Sequence, residues 1–168
     1  SKPMPTQKTR TALPNKPTKP TKPTTGPRFV VRSSGIHGRG VFAATTIRKG
    51  ALVIEYRGER TTWDIASARP DSDPDNPHHT FIFETSDGLV IDGGHRGNAA
   101  RWINHSCAPN CKSFEDDDGR VFIEARRTIA AGEELTYDYR LSLDGRITRK
   151  IRDAYACRCG TARCRGTL

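Results

Sequence analysis

The chain ends in three cysteines, Cys157, Cys159 and Cys164, spaced C-x-C-x4-C within a segment rich in glycine and arginine. Three thiolates fall one short of the four N or S ligands of a closed tetrahedral zinc site. The remaining cysteines are Cys107 and Cys111. A metal held by the tail therefore requires the last residues to fold back onto the middle of the chain, a long-range contact that few topologies allow. Spacing alone does not decide whether Cys107 or Cys111 completes the set.

The segment that would receive the tail is Arg101-Trp102-Ile103-Asn104-His105-Ser106-Cys107-Ala108-Pro109-Asn110. It follows the apolar pair Ala99-Ala100 and closes on a Pro-Asn turn signal, so it reads as a short helix breaking into a loop crowded with polar side chains. Taken alone, such a loop is equally well a set of satisfied amides around one buried cysteine. The missing metal ligand favours the functional reading.

Around this centre, short apolar runs separated by glycine turns predict strands over 29–31, 41–43, 52–56, 80–83, 89–92, 121–124 and 134–137. Helical signal is sparse: 63–69 forms one helix before Pro70, and 143–155 is ambiguous. The Asp-, Pro- and His-rich stretch 70–79 reads as a variable loop. Glu115-Asp116-Asp117-Asp118-Gly119 is an acidic hairpin turn, either solvated or a lure for a basic peptide. A chain of 168 residues can bury a real core without disulfides.

Charge is distributed unevenly. Residues 1–28 carry seven Lys or Arg, no acid and seven of the eleven prolines, which leaves 21 basic against 19 acidic residues for the rest. The net charge of +9 thus belongs mainly to the N-terminal segment. There Lys-Pro-Thr repeats three times from Lys16 to Thr24, and nothing apolar is offered for burial. Residues 1–27 are expected to be a disordered basic tail, partly polyproline-like. That tail serves either as a linker or as an arm making weak contacts with DNA phosphates, and its lysines are also candidates for self-methylation. No apolar run approaches a membrane span, nothing resembles a secretory signal, and five cysteines in a metal-like pattern suit a reducing compartment.

Four segments in order, His37-Gly38-Arg39-Gly40-Val41-Phe42, Glu55-Tyr56-Arg57-Gly58-Glu59, Gly97 to Asn110, and Glu133-Glu134-Leu135-Thr136-Tyr137-Asp138-Tyr139, resemble the motifs of SET-domain protein lysine methyltransferases. Residues 157–166 resemble their post-SET zinc tail. The likeness is strongest to the MLL/trithorax-like branch and to small bacterial SET proteins of the same pattern. It implies a mostly β fold of several small sheets with few short helices, a C-terminal pseudoknot and a zinc-bound post-SET tail. The implied organisation is a tail over 1–27, a SET domain over 28–140 with a variable insertion at 60–80, and a post-SET segment over 141–168.

The resemblance also implies roles. S-adenosylmethionine would be bound by the turn at His37, Gly38, Arg39 and Gly40, where glycines let the backbone approach a ligand closely. Arg101, Asn104, His105, Tyr139, Arg158 and Leu168 would join it, with Phe81 standing where relatives often have a tyrosine. The motif selects Cys107 with Cys157, Cys159 and Cys164 for a structural zinc ion and leaves Cys111 a free buried thiol. Tyr56, Tyr137 and Tyr139 would line the lysine channel, with Tyr139 catalytic and Tyr137 limiting the product. With period 2, Tyr137 and Tyr139 share one face of a strand.

The implied function is methyl transfer from S-adenosylmethionine to a protein lysine on a histone or histone-like basic tail, chiefly monomethylation and to a lesser extent dimethylation. Two alternatives stay open: a lysine methyltransferase of a non-histone protein, and a non-catalytic chromatin or DNA-binding SET module. The expected partner is a lysine-containing basic peptide, with no membrane and a monomeric state. The expected place is the nucleus if the source is eukaryotic, or the cytoplasm or a host cell if bacterial.

Overall fold

The computed structural model describes residues 6–9, 28–70, 81–141 and 148–167. In chain order its strands are β1 (Gln7–Lys8), β2 (Phe29–Ser33), β3 (Arg39–Ala43), β4 (Leu52–Tyr56), β5 (Glu59–Thr61), β6 (Ile82–Glu84) and β7 (Val90–Asp92). They continue with β8 (Asn104–His105), β9 (Cys111–Glu115), β10 (Val121–Ala125) and β11 (Thr136–Tyr137). The helices are α1 (Trp63–Ser67) and α2 (Arg149–Ala154), with a 3-10 turn at Ala99–Trp102. The mostly β fold of several small sheets is therefore as the sequence led us to expect.

The central sheet has the order β4-β10-β9. On β10, Val121, Ile123 and Ala125 are buried while Phe122 and Glu124 are half-buried, the period of two that a one-sided strand requires. Gly119, with φ at 77°, turns the β9–β10 hairpin. In that turn Asp116 accepts from the amides of Asp118 and Arg120, and the Glu115 carboxylate accepts from Ser86. Two of the acids are thus spent on holding loops.

A late segment then passes between two early ones. Leu135 N–H donates to the Val41 carbonyl at 2.7 Å on one side, and β11 runs parallel to β8 on the other, with Thr136 opposite Asn104 and Tyr137 opposite His105. The buried Asn110 side chain pins this crossing, donating to Glu134 O at 2.8 Å and accepting from Thr136 N at 2.9 Å. Leu135, Ile103, Ile123, Ile129 and Val121 close the core around it.

A second sheet has the order β1-β6-β7-β5. Helix α1 begins at a Thr62 cap, whose hydroxyl accepts from Ile65 N, and buries Ala66 against Ile82 and Val90. Arg69 bridges Asp92 at 2.8 Å and Glu59 at 2.9 Å. Thus 60–70, the first part of the expected insertion 60–80, is fastened to the sheet, whereas the histidine-bearing part, 71–80, lies outside the described residues. Of the ambiguous stretch 143–155, Arg149–Ala154 is helical behind a Thr148 cap.

The expectation for the N-terminal tail needs correction over residues 6–9. Gln7 and Lys8 form β1, paired parallel to Phe83 and Glu84 of β6, with Gln7 1% exposed. Composition missed this because an added edge strand is held by main-chain hydrogen bonds and needs no apolar side chains of its own. The Lys-Pro-Thr repeats lie outside the described residues. Among the described residues no helix is long and apolar enough to cross a membrane.

Candidate active site

The glycine-rich turn precedes β3. Ser34 N–H closes it onto Gly38 O at 2.8 Å, and Gly38 sits at φ 43°, a conformation that favours glycine. At Gly40 a Cβ would lie 2.0 Å from Glu134 Oε1, so a side chain there would evict the acid. Asn104 Nδ2 lies 3.1 Å from His37 O, 2.8 Å from Arg39 O and 3.0 Å from Glu134 Oε1. Its donors brace the back of the turn and so shape the backbone around His37 and Arg39. The Glu134 carboxylate, which the sequence reading passed over, also accepts from Ser34 Oγ.

Beside this turn is an aromatic and cationic wall. The guanidinium of Arg101 lies 4.7 Å from the Trp102 ring centre and that of Arg39 5.3 Å, while the Phe81 ring meets Trp102 edge-on. Arg101 Nε is buried without a hydrogen-bond partner among the described residues. An unpaired buried guanidinium N–H is costly, and a polar or anionic ligand group placed there would relieve that cost. Turn, orphaned donor and aromatic wall together fit the amino-acid end of S-adenosylmethionine. Arg158 is exposed between its cysteines, and Leu168 lies outside the described residues.

The three tyrosines converge. Tyr137 and Tyr139 rings are 4.9 Å apart, Phe83 stacks on Tyr137 at 5.9 Å, and Tyr56 meets Phe83 edge-on at 4.7 Å. All three phenols are buried and hydrogen-bonded: Tyr56 donates to Phe81 O at 2.8 Å, Tyr139 to Ile103 O, and Tyr137 to Gln7 Oε1. Burial, then the neighbouring phenols for Tyr56 and Tyr137 and Glu134 for Tyr139, holds each above the ordinary tyrosine range. They are neutral hydroxyls that can orient an amine but do not serve as bases near neutrality.

The cysteines meet as the tail arithmetic required. The sulfurs of Cys107, Cys157, Cys159 and Cys164 all lie within 4.8 Å of one another, with Cys107 and Cys157 3.7 Å apart. Zn–S bonds of about 2.3 Å at tetrahedral angles put sulfurs roughly 3.8 Å apart, so the quartet has the dimensions of a metal cage. Main-chain amides of Cys159, Arg165 and Gly166 donate to Cys157, Cys107 and Cys164 at 3.3–3.4 Å, as thiolates need. Burial opposes ionisation of Cys159, but the Thr161 hydroxyl, main-chain amides and neighbouring thiols bring it down to about 5; Cys157 is pushed up by burial. Cys111 stands apart, buried in β9, its thiol raised to about 12 by burial.

His105 joins the two halves of the site. Its Nδ1 accepts from Tyr139 N at 3.0 Å, and its Nε2 lies 3.4 Å from Cys107 Sγ. Burial, with Arg165 adding repulsion, keeps its pKa down at about 4 against the pull of Asp138. The ring is therefore neutral, with the proton on Nε2 facing sulfur. Asp138, between the two tyrosines, takes Arg165 of the tail in a two-pronged ion pair at 2.8 and 2.9 Å. The partnership of Asp138 with Arg165 has no spacing signal in the sequence.

A family model described as SET domain matches residues 38–140. This chain belongs to the SET-domain family. It is 40% identical over 138 residues to a histone-lysine N-methyltransferase trithorax of Drosophila virilis, covering 80% of this chain and 3% of the relative. Against histone-lysine N-methyltransferase ATX2 of Arabidopsis thaliana it is 41% identical over 147 residues, 84% of this chain and 13% of the relative. An H3 lysine-4-specific histone-lysine N-methyltransferase of Mycosarcoma maydis is 38% identical over 139 residues, 80% of this chain and 9% of the relative. The chain thus spans a small fraction of these relatives' length.

Proposed function

We propose that this chain is a protein-lysine N-methyltransferase that uses S-adenosylmethionine and acts on a histone-like basic tail. The observation that carries the reading is the clustering of the buried Tyr56, Tyr137 and Tyr139 rings with Phe83, beside the glycine-rich turn and the orphaned Arg101 donor. All three relatives are named histone-lysine N-methyltransferases, which supports the same chemistry. With a histone substrate the work is done on chromatin, in the nucleus.

S-adenosylmethionine, when bound, supplies an electrophilic methyl on a sulfonium. The chain's residues do the rest. A lysine amine ordinarily titrates near 10.4 and must be neutral to attack, and the wall of Tyr56, Phe83, Tyr137 and Tyr139 favours the neutral form by desolvation. Tyr139, fixed by its bond to Ile103 O and by His105, aligns the amine, and alignment supplies much of the rate. The Tyr137 hydroxyl points to where the amine would lie and limits room for added methyls, so monomethylation predominates. The turn residues His37 to Gly40, with Phe81, Arg101, Asn104, Arg158 and Leu168, serve the cofactor side, Asn104 as the brace. Cys107, Cys157, Cys159 and Cys164 hold one structural zinc ion.

Mass spectrometry of core histones incubated with S-adenosylmethionine and wild type, Tyr139→Phe or Tyr137→Phe tests this. Expected are a mono-methyl mark with wild type, near loss with Tyr139→Phe, and a shift to higher methylation with Tyr137→Phe. Full activity of Tyr139→Phe overturns the assignment.

A further inference from the structure

We propose that residues 6–9 are an intramolecular pseudosubstrate, a peptide strand of the chain's own tail lying in the substrate groove with Gln7 in the place of the target lysine. The inference rests on the function proposed above, and it concerns this chain's tail.

Five contacts carry it. Gln7 and Lys8 pair parallel with Phe83 and Glu84 of β6. On the opposite edge the Lys8 amide donates to the Tyr139 carbonyl at 3.4 Å, so the segment is clasped between β6 and the residue taken as catalytic. The Gln7 side chain is buried among the aromatic rings, where its Oε1 accepts from Tyr137. On the far side of β1, Glu84 lies 3.7 Å from Lys8 Nζ and 3.5 Å from Thr6 Oγ1, which gives the strand a charge-based register.

Chemistry makes the seated residue inert. A glutamine side chain is close to lysine in reach and fills the slot, but its amide nitrogen has no free electron pair for attack on a methyl. A strand slipped by one residue would turn Lys8 inward and Gln7 outward, since side chains alternate faces, and would break the pairing of Lys8 with Glu84. The tail therefore competes with substrate in cis. A site nine-tenths filled by its own tail binds an external peptide about tenfold more weakly than an open one.

Two measurements test this. The first needs no turnover: fluorescence anisotropy of a labelled peptide of residues 4–11 carrying Gln7→Lys, titrated with the full chain, with full-chain Gln7→Ala, and with a chain lacking residues 1–10. Expected is tightening of about tenfold on deletion and an intermediate gain for Gln7→Ala; equal affinities for all three, or no binding to any, overturn the pseudosubstrate. The second uses full-chain Gln7→Lys with S-adenosylmethionine. The amine at position 7 forms an N–C bond to the methyl, the C–S bond breaks with its electrons going to sulfur, and the surplus proton leaves to water. A methyl mark at position 7, appearing at a rate per molecule independent of protein concentration, supports the inference. Histone methylation by this variant without a mark at position 7 overturns the inference and leaves the enzyme intact. Tighter peptide binding on deletion, with no methylation by any variant, supports tail occupancy and sinks the proposed activity instead.

Discussion

Asn110→Ala is the substitution that most directly tests how the fold is held. The buried Asn110 amide satisfies two main-chain groups of the crossing segment, the Glu134 carbonyl at 2.8 Å and the Thr136 N–H at 2.9 Å. Truncation removes both partners and leaves two inward groups unpaired, at about 1–3 kcal/mol each, so the expected loss is about 2–6 kcal/mol. That is a large part of the roughly 5–15 kcal/mol that stabilises a typical domain. Asp138→Asn is the contrast: it weakens a two-pronged ion pair whose Arg165 side chain is half exposed, and about 1 kcal/mol or less is expected. Urea unfolding followed by tryptophan fluorescence measures both. Trp102 reports directly, since it packs against the core beside the pinned segment. An Asn110→Ala loss below about 1 kcal/mol, or no larger than that of Asp138→Asn, would refute the idea that this amide clamps the crossing.

Three further outcomes are expected. A strong chelator should release one zinc ion per chain, abolish methyl transfer and raise hydrogen exchange over 157–167 while β4, β9 and β10 stay protected; mass spectrometry of metal and of exchange reads all three. Gly40→Ala should abolish S-adenosylmethionine binding by calorimetry, because the new Cβ displaces Glu134 and loosens the Asn104 brace. In a pH profile, kcat/KM should rise with pH as the substrate amine is deprotonated and should show no falling limb below about pH 10, since burial holds the three phenols above the ordinary tyrosine range. A decline between about pH 8 and 9.5 would place a titrating phenol or thiol in the mechanism.

The parts legible in the sequence were those with a local pattern. Strands such as Val121–Ala125 alternate, the helix at Trp63–Ser67 has a Thr62 cap and a Pro70 stop, and the cysteine count tied the tail to the centre. The choice of Cys107 over Cys111 came from motif resemblance, and in space Cys107 joins the quartet while Cys111 lies in β9. Less legible were partnerships between polar groups distant in sequence. Glu134 with Ser34 and Asn104, or Asp138 with Arg165, have no period or composition to announce them. Strands of two or three residues, β5 and β8 among them, are too short to show alternation. Gln7 was hidden for a further reason, because a Pro- and Lys-rich context argues for disorder and the groove that orders it is built by residues about 75 to 130 positions later.

The cysteine quartet and the tyrosine slot are one mechanical unit, and His105 explains why. Its imidazole spends Nδ1 on the amide of Tyr139 and turns Nε2 to Cys107 Sγ, so the ring's position is fixed at one end by the cysteine quartet and at the other by the segment that carries Tyr139. A neutral ring is the form that can accept at one nitrogen and donate at the other, and burial keeps it neutral. The Arg165–Asp138 pair runs alongside and ties the same tail to the residue between the two tyrosines. The tail is therefore tied to the Tyr139 segment through two linkages, which meet where His105 Nδ1 lies 3.6 Å from Asp138 Oδ1. One is buried, and one is half exposed and weakened by salt. The buried linkage is the stronger constraint, so the tail's contribution to the tyrosine slot should persist at ionic strengths that screen the arginine pair.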